Sequence, residues 1–262
     1  MFRLLAYNID CAEGSRLERI STVLHAAGAD VVTLVEVTTP TVAATLAGRL
    51  GMTYVWERGS GDRHVATLSR PAIVESRIHR SPPITQAVLE TRHELPSGSL
   101  TVFNAHLLPY LLLPFELRRW QAIGRLLQII RDRRVMPHLI VGDLNAVAPG
   151  DHVLHRKNPV RMQRLMAMQL FVVFRPAIRR LLRAGYLDCY RALHPDRPGF
   201  TFMPGGLTTR YDYVMADAIM APRLRSCRVV DDVAGVDSAS DHYPVLAEFD
   251  VSGALAPTRG DD

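Results

Sequence analysis

The sequence predicts an α/β fold with two packed mixed β-sheets flanked by helices, and three observations lead there. The first fifty or so residues alternate strand-like and helical stretches, a series of short β-rich pieces follows, and later apolar runs return to strand character after a long amphipathic helix. FRLLAYNI alternates loosely as a strand does. GSRLERISTVLHAAG places Leu17, Ile20, Val23, Leu24 and Ala27 at helical spacing ahead of Gly28, an amphipathic helix with a glycine stop. DVVTLVEV is a β-branched run suited to a strand buried on both faces, and TPTVAATLAGRLG repeats the helix-then-glycine pattern. MTYVWE, HVATLSR, AIVESRIH, TQAVLETRHEL and SLTVFNAHL, with turn residues between them, predict an antiparallel meander. Leu117, Ile123, Leu126, Leu127 and Ile130 predict a helix over Phe115 to Arg134, followed by the buried-type strand PHLIVGDLNA. TTRYDYVMA, RLRSCRVVDD and YPVLAEFDV supply the last strands.

At 262 residues, 48% hydrophobic and 22% charged, the chain has the material for one sizeable core, which excludes general disorder. A single domain is expected over 1–252, with a flexible tail over 253–262. The three cysteines, Cys11, Cys189 and Cys227, are odd in number and lack CxxC spacing, so neither a disulfide framework nor a zinc site is expected. The N-terminus reads as a strand rather than a secretory signal, and no apolar run approaches the roughly 18 residues of a membrane span. A cytoplasmic monomer is the expectation. The net charge of +5 and a pI near 9.4 favour polyanionic partners. Lys157 is the only lysine; arginine dominance suits forked phosphate binding, although a GC-rich genome produces the same bias.

Polar residues with catalytic potential recur at the downstream ends of the apolar strands: Asn8, Glu36, Asn104 and His106, Asp143 and Asn145, Asp212, then Asp241 and His242. A carboxylate inside VVTLVEV is costly to bury unpaired, so Glu36 calls for a cation. Carboxylates and carboxamides without thiols point to a hard cation, Mg²⁺ or Mn²⁺, which leaves coordination places for a phosphate oxygen. Histidines complete the requirements of phosphodiester cleavage: an activated water, charge relief and help for the leaving oxygen. Neighbours on a strand point to opposite faces, so Asp241 either orients His242 itself or meets the metal while another carboxylate orients the imidazole.

The ordered set YNI, LVEV, NAHL, GDLNA, TRYDYV and SDHYPV resembles the endonuclease/exonuclease/phosphatase superfamily, the deoxyribonuclease-I-like metallophosphoesterases, from about Leu4 to Phe249. That resemblance implies a four-layered α/β sandwich and Mg²⁺-dependent phosphoester hydrolysis. It would make Glu36 the main metal ligand with Asn8 beside it and Asp241 near a metal position. Asp143 would position or deprotonate the attacking water, Asn145 and His106 would contact the scissile phosphate, and His242 would bind phosphate or act as base with Asp212 as its orienting partner. Asn104, Arg210 and Tyr110 are the expected substrate contacts. Two departures stand out: Val35 occupies the place of the family's usual Gln before the metal Glu, and Ala105 replaces the usual Thr before the histidine. Asp188 and Arg191 in LDCYR, and Thr201 in GFTF, also resemble family landmarks, either as substrate contacts or as capping and turn residues.

Substrate choice is expected in two segments outside these motifs. LLPYLLLPFELRRW (107–120) is apolar and broken by proline; the long segment 155–186 alternates Arg161, Arg164, Arg175, Arg179, Arg180 and Arg183 with Met166, Leu170, Phe171, Val173 and Phe174. Both can pack as core or lid helices. Either suits peripheral contact with an anionic membrane, though Pro176 would interrupt a helix in the second, and the arginines of the second equally suit a nucleic-acid backbone. The expected activity is therefore a metal-dependent phosphodiesterase acting on nucleic acid or a phospholipid head group. The alternatives are a phosphomonoesterase for a phosphorylated metabolite or inositol phosphate, which needs a closed pocket, and a non-catalytic binding module, against which the full set of polar residues argues.

Overall fold

The computed structural model describes residues 1–61, 63–133, 135, 137–203, 206 and 208–255. Its organisation starts with β1 (Phe2–Asn8), whose side chains alternate between two buried faces. Leu5 and Tyr7 pack against α1 (Ser15–Ala27) and α2 (Pro40–Leu50), while Leu4 and Ala6 face the second sheet. A strand apolar on both sides is one with a layer on each side. Gly28 ends α1 in the left-handed region at φ 58°, where its N–H reaches the Leu24 and His25 carbonyls, a conformation glycine adopts without the Cβ penalty.

Beside β1 lie β2 (Val31–Val35), parallel to it, and β12 (Val245–Phe249), antiparallel. With β3 (Thr53–Glu57), β4 (Val65–Ser69) and β11 (Leu224–Val229) they form a six-stranded sheet ordered β11-β12-β1-β2-β4-β3. The second sheet holds β5 (Ile73–His79), β6 (Ala87–Leu95), β7 (Gly98–His106), β8 (His138–Asp143), β9 (Leu187–Asp188) and β10 (Asp212–Ala216), ordered β5-β6-β7-β8-β10-β9. Only β7 and β8 run parallel within it. Each sheet is mixed, as expected. The outer face of the second sheet is covered by α3 (Leu113–Asp132) and α5 (Pro176–Arg183), which completes four layers. Between the sheets, Phe2, Leu4, Val102, Val141, Val214, Ala247 and Phe249 form a dry apolar seam.

The expected single meander is divided. β3 and β4 belong to the first sheet, and the meander β5-β6-β7 opens the second. The chain changes sheets over residues 70–72, where Pro71 offers no N–H to continue a ladder. The 155–186 segment is likewise not one helix but α4 (Val160–Ala167) and α5, with Pro176 at the first turn of the second. A last short helix, α6 (Cys189–Leu193), is capped by Asp188. Of the expected C-terminal tail, residues 253–255 are described and 256–262 lie outside the described residues, as does Arg134 at the end of the expected helix. Among the described residues no helix is long and apolar enough to cross a membrane.

Leu4 has no exposure in the seam between the sheets. Leu4→Ala is expected to lower the unfolding free energy by about 2–5 kcal/mol, read as a lower urea midpoint at unchanged slope.

Candidate active site

The polar residues converge because of strand direction. β1, β2, β7 and β8 end at one edge of the sandwich, bringing Asn8, Glu36, His106 and Asp143 there. Asp212 and His242 do not stand at downstream ends as expected. β10 and β12 run antiparallel to β8 and β1, so it is their upstream ends that reach this edge, with Asp212 paired across from Asp143.

Local backbone then aims each group. Glu36 follows the last paired residue of β2 with φ 59°, which turns it out of the ladder while Val37 N–H bonds the His64 carbonyl. Gly142 is needed before Asp143: at φ 114°, an added Cβ would lie 2.4 Å from the Ala105 carbonyl oxygen. Asn145, in the left-handed region at φ 49°, donates its backbone N–H to Asp143 Oδ1 at 2.8 Å and its Nδ2 to the Leu107 carbonyl at 3.0 Å. Ser240 fastens the last loop by donating to the Asn8 carbonyl at 2.7 Å and accepting from His242 N–H at 3.2 Å.

The resulting cleft, about 180 Å³, is lined by Asp10, Glu36, Arg63, Asp143, Asn145, Asp241 and His242, with Pro109, Tyr110, Met162, Phe202 and Tyr211 as its apolar wall. Asn8 Nδ2 bridges two carboxylates, 3.0 Å from Asp143 Oδ2 and 3.3 Å from Glu36 Oε1. His242 Nδ1 lies 2.7 Å from Asp212 Oδ2, and its Nε2 faces Asp143 Oδ2 at 3.8 Å and Asp241 Oδ1 at 4.0 Å. Asp212, not the adjacent Asp241, is thus the carboxylate that orients the imidazole. The Phe202 ring packs on His242 with centroids 5.0 Å apart.

Several expected contacts fall elsewhere. Arg210 is buried, forks onto Asp188 at 2.8 and 2.6 Å, donates Nε to Asp151 at 2.8 Å and stacks over Tyr213. With every donor nitrogen engaged, it braces the scaffold rather than binding substrate. Asn104 is sealed between the sheets, its Nδ2 donating to the Leu34 and Ala66 carbonyls at 3.0 and 2.9 Å, so it ties the layers together instead of touching substrate. His106 has no exposure and stands behind the carboxylates, Nε2 3.6 Å from Glu36 Oε1 and 4.0 Å from Asp143 Oδ2. Tyr110 does sit on the rim. Of the other landmarks, Thr201 Oγ1 accepts from the Tyr211 and Asp212 amides, and Arg191 binds Asp151 at 2.8 Å, both scaffold roles. Val35 packs with Val65, Ala87 and Leu89, and Ala105 lies in the core beneath α3. Sequence reading missed Asp10 and Arg63, whose Nη1 is 3.4 Å from Glu36 Oε1. Nothing marks a loop arginine among thirty as the one beside the acid.

Electrostatics are dominated by crowded acids. Burial pushes the Asp143 carboxyl above the ordinary carboxylate range, against the pull of His242 and with Asp212 adding to the rise. Asp241 is raised by burial, and by Asp10, Glu36 and Asp212, beyond what His242 lowers. His242, which burial alone would make less basic, is lifted to about 10 by Asp212, Asp143 and Asp241. His106, with no acid bonded to it, is held down to about 3 chiefly by burial and is neutral. The cleft lining carries four carboxylates, Asp10, Glu36, Asp143 and Asp241, against the two cations Arg63 and His242, and that surplus of oxygen ligands and negative charge fits a hard divalent cation. Of the two buried and unpartnered His106 nitrogens, Nε2 is the one turned toward Glu36 and Asp143. Asp143, Asp212 and His242 also bring ligand atoms within 4.8 Å of one another, and within that trio Asp212 bonds His242 directly.

The endonuclease/exonuclease/phosphatase family model matches residues 5–242. The chain belongs to the endonuclease/exonuclease/phosphatase family. Membership places it among metal-dependent phosphoester hydrolases, and the four-layered sandwich is shared by solved structures. A 3′ phosphatase, NExo, from Neisseria, bound to a product DNA hairpin, superposes with a TM-score of 0.74 at 19% identity over 95% of this chain and 100% of that one. An AP endonuclease from Archaeoglobus fulgidus gives 0.73 at 20% identity, again over 95% and 100%. A truncated TDP2 from Caenorhabditis elegans gives 0.64 at 15% identity over 95% and 96%. A search of curated proteins finds no match.

The upward shift of His242 has a consequence for the metal-free protein. A group whose pKa is raised on folding stabilises the fold below its unfolded value and loses that contribution as pH rises through its folded value. For His242 the window runs from 6.5 to about 10. Denaturant titrations in EDTA are expected to show stability falling across that range, and Asp212→Asn is expected to flatten the slope.

Proposed function

We propose that this chain is a divalent-metal-dependent phosphodiesterase, acting on a substrate much larger than the cleft that holds the reacting phosphate. The observation that carries this reading is the cleft itself: at about 180 Å³ it admits a phosphoryl group and its immediate oxygens, while pockets that enclose a whole small ligand run to roughly 300–1,000 Å³. The rest of the substrate is then left on the rim, the arrangement of a nucleic acid or a lipid head group rather than of an enclosed metabolite.

Glu36, oriented by the Asn8 Nδ2 donor, would hold the cation, with Asp241 and Asp10 at the open side. Mg²⁺ or Mn²⁺ bound there supplies charge neutralisation on the phosphoryl group. Asp143 takes the proton of the attacking water; burial and crowding place its basicity closer to neutrality than that of an exposed aspartate. Its Oδ1 is pinned by the Asn145 amide and its Oδ2 by Asn8, so the base is oriented before substrate arrives. His242, protonated and held by Asp212, presents Nε2–H toward the cleft, where it stabilises charge on a phosphate oxygen and hands a proton to the leaving oxygen.

Hydrolysis of bis-p-nitrophenyl phosphate and p-nitrophenyl phosphate, side by side with Mg²⁺, Mn²⁺ or EDTA, tests the reading. Metal-dependent cleavage of the diester is expected, falling by about 10²-fold or more in Glu36→Gln and in His242→Ala while both variants keep the wild-type circular dichroism spectrum. Cleavage of the monoester alone would replace it with a phosphomonoesterase, and full activity in Glu36→Gln would remove that residue from the metal site.

A further inference from the structure

The chain's charge is not spread over its surface. Between Asp151 and Asp188 there is no acidic residue and there are eight basic ones, so the net +5 divides into +8 within 152–187 and −3 over everything else. None of the eight forms an ion pair among the described residues; Arg175 instead bonds the Ala148 and Asp151 carbonyls, and Arg180 stacks over the exposed ring of Trp120 with its carbon 4.2 Å from the centroid. Arg156, Lys157, Arg161, Arg164, Arg179 and Arg183 are exposed.

The same segment exposes apolar side chains that a freely dissolved surface would bury. Its inward face is satisfied: Met162 and Met166 pack with Leu111, Val147 and Tyr211 against the cleft wall. Its outward face is not, with Met168 82% and Leu170 85% exposed beside Val160, Phe171 and Val172. Leu170 and Phe171 hold consecutive left-handed backbone angles, φ 54° and 57°, in a turn closed by Phe171 N–H to the Met166 carbonyl at 2.8 Å. In that turn Leu170 stands clear of the surface, and the Phe171 ring, 45% exposed, lies edge-on to His155 with centroids 5.4 Å apart. Gln169 fastens this turn to the other rim segment, donating Nε2 to the Leu111 carbonyl at 2.7 Å and accepting from Leu113 N–H at 3.2 Å. Exposed Tyr110, Leu113 and Leu117 therefore continue the same apolar surface, and the only acid between 107 and 120, Glu116, is buried against Arg119.

We propose that this joined rim, 110–120 with 154–172, is a docking surface for an anionic lipid bilayer, which sets the cleft opening against the membrane. Apolar tips ringed by unpaired arginines and no exposed acid match the boundary between acyl chains and anionic head groups: the tips enter the apolar layer and the guanidinium groups remain among the phosphates. A nucleic-acid backbone would satisfy the arginines but would leave Met168, Leu170 and Val172 against phosphate and water. Docking is a property of this surface and does not depend on the cleft being catalytic.

Sedimentation with vesicles tests it. The full chain is expected to sediment with phosphatidylglycerol-containing vesicles, weakly with pure phosphatidylcholine, and less as salt is raised. Leu170→Glu with Phe171→Glu, and separately Arg161→Glu with Arg164→Glu, are each expected to weaken that partition by about tenfold or more. Both double variants should keep the wild-type melting temperature and the wild-type turnover of the soluble diester, because all four side chains are exposed and none lines the cleft. Failure of the wild type to sediment with anionic vesicles, or equal sedimentation by the apolar variant, would overturn the proposal. Tight binding to a DNA duplex, lost in the arginine variant but untouched in the apolar one, would replace the membrane with nucleic acid. Loss of soluble turnover in the wild type would count against the phosphodiesterase alone and leave the docking result standing.

Discussion

Negative charges brought together in one cleft repel one another, and this repulsion sets the terms for the rest of the molecule. Asp10, Glu36, Asp143 and Asp241 line one small opening with Arg63 and His242 as the cations beside them, and Asp212 stands behind, bonded to His242. Holding such a group needs a frame that does not relax. The frame is the apolar seam between the sheets, in which Leu4, Val102, Val141, Val214 and Phe249 press together the strands whose ends carry the acids. Close packing of this kind resists sub-ångström adjustment, so the carboxylates stay where their repulsion would otherwise drive them apart. Burial raises Asp143, and the surrounding acids raise His242, so the two groups face the cleft with basicities displaced from those of free side chains.

A second polar cluster solves the opposite problem. Arg210 is a fully desolvated cation, and its fork onto Asp188 with a further bond to Asp151 balances it with two acids. Arg191 closes the set on Asp151. Because breaking one partner of such a buried group leaves an uncompensated charge, the cluster fixes the start of β10 in one position. Asp212 is two residues beyond Arg210, so the orientation of His242 descends from this bracing as much as from the Asp212–His242 bond itself.

The rim obeys a different economy from the centre. Inside, every charged group is matched or crowded by others; outside, segment 152–187 gathers positive charge with no acid of its own and leaves Met168, Leu170 and Val172 exposed. The two meet at Met162 and Tyr110, which line the cleft from segments whose outer faces are exposed. A phosphoester carried on a larger anionic body would meet the rim before the acids, which places recognition and chemistry on different parts of the same opening.

Much of this was legible in the chain. Two-sided apolar runs, helices closed by glycine and the ordered polar motifs determined the α/β class, the two mixed sheets and the identity of Glu36, Asp143, Asp212 and His242 as residues to watch, because periodicity and the cost of burying charge act locally. Strand direction is not local. Nothing in TRYDYV or SDHYPV states that these strands run antiparallel to their neighbours, yet that alone brings their upstream ends to the edge where β1 and β8 finish. Nor does an arginine declare its partners: Arg210 reads as a phosphate ligand until Asp151 and Asp188 arrive from distant positions, Asn104 reads as a substrate contact until the second sheet covers it, and Arg63 reads as one surface cation among many until folding sets it beside Glu36. Composition and spacing therefore determined which chemistry the chain carries, and tertiary structure alone decided which of those groups face the cleft, since long-range burial and pairing arise only when distant segments share one surface.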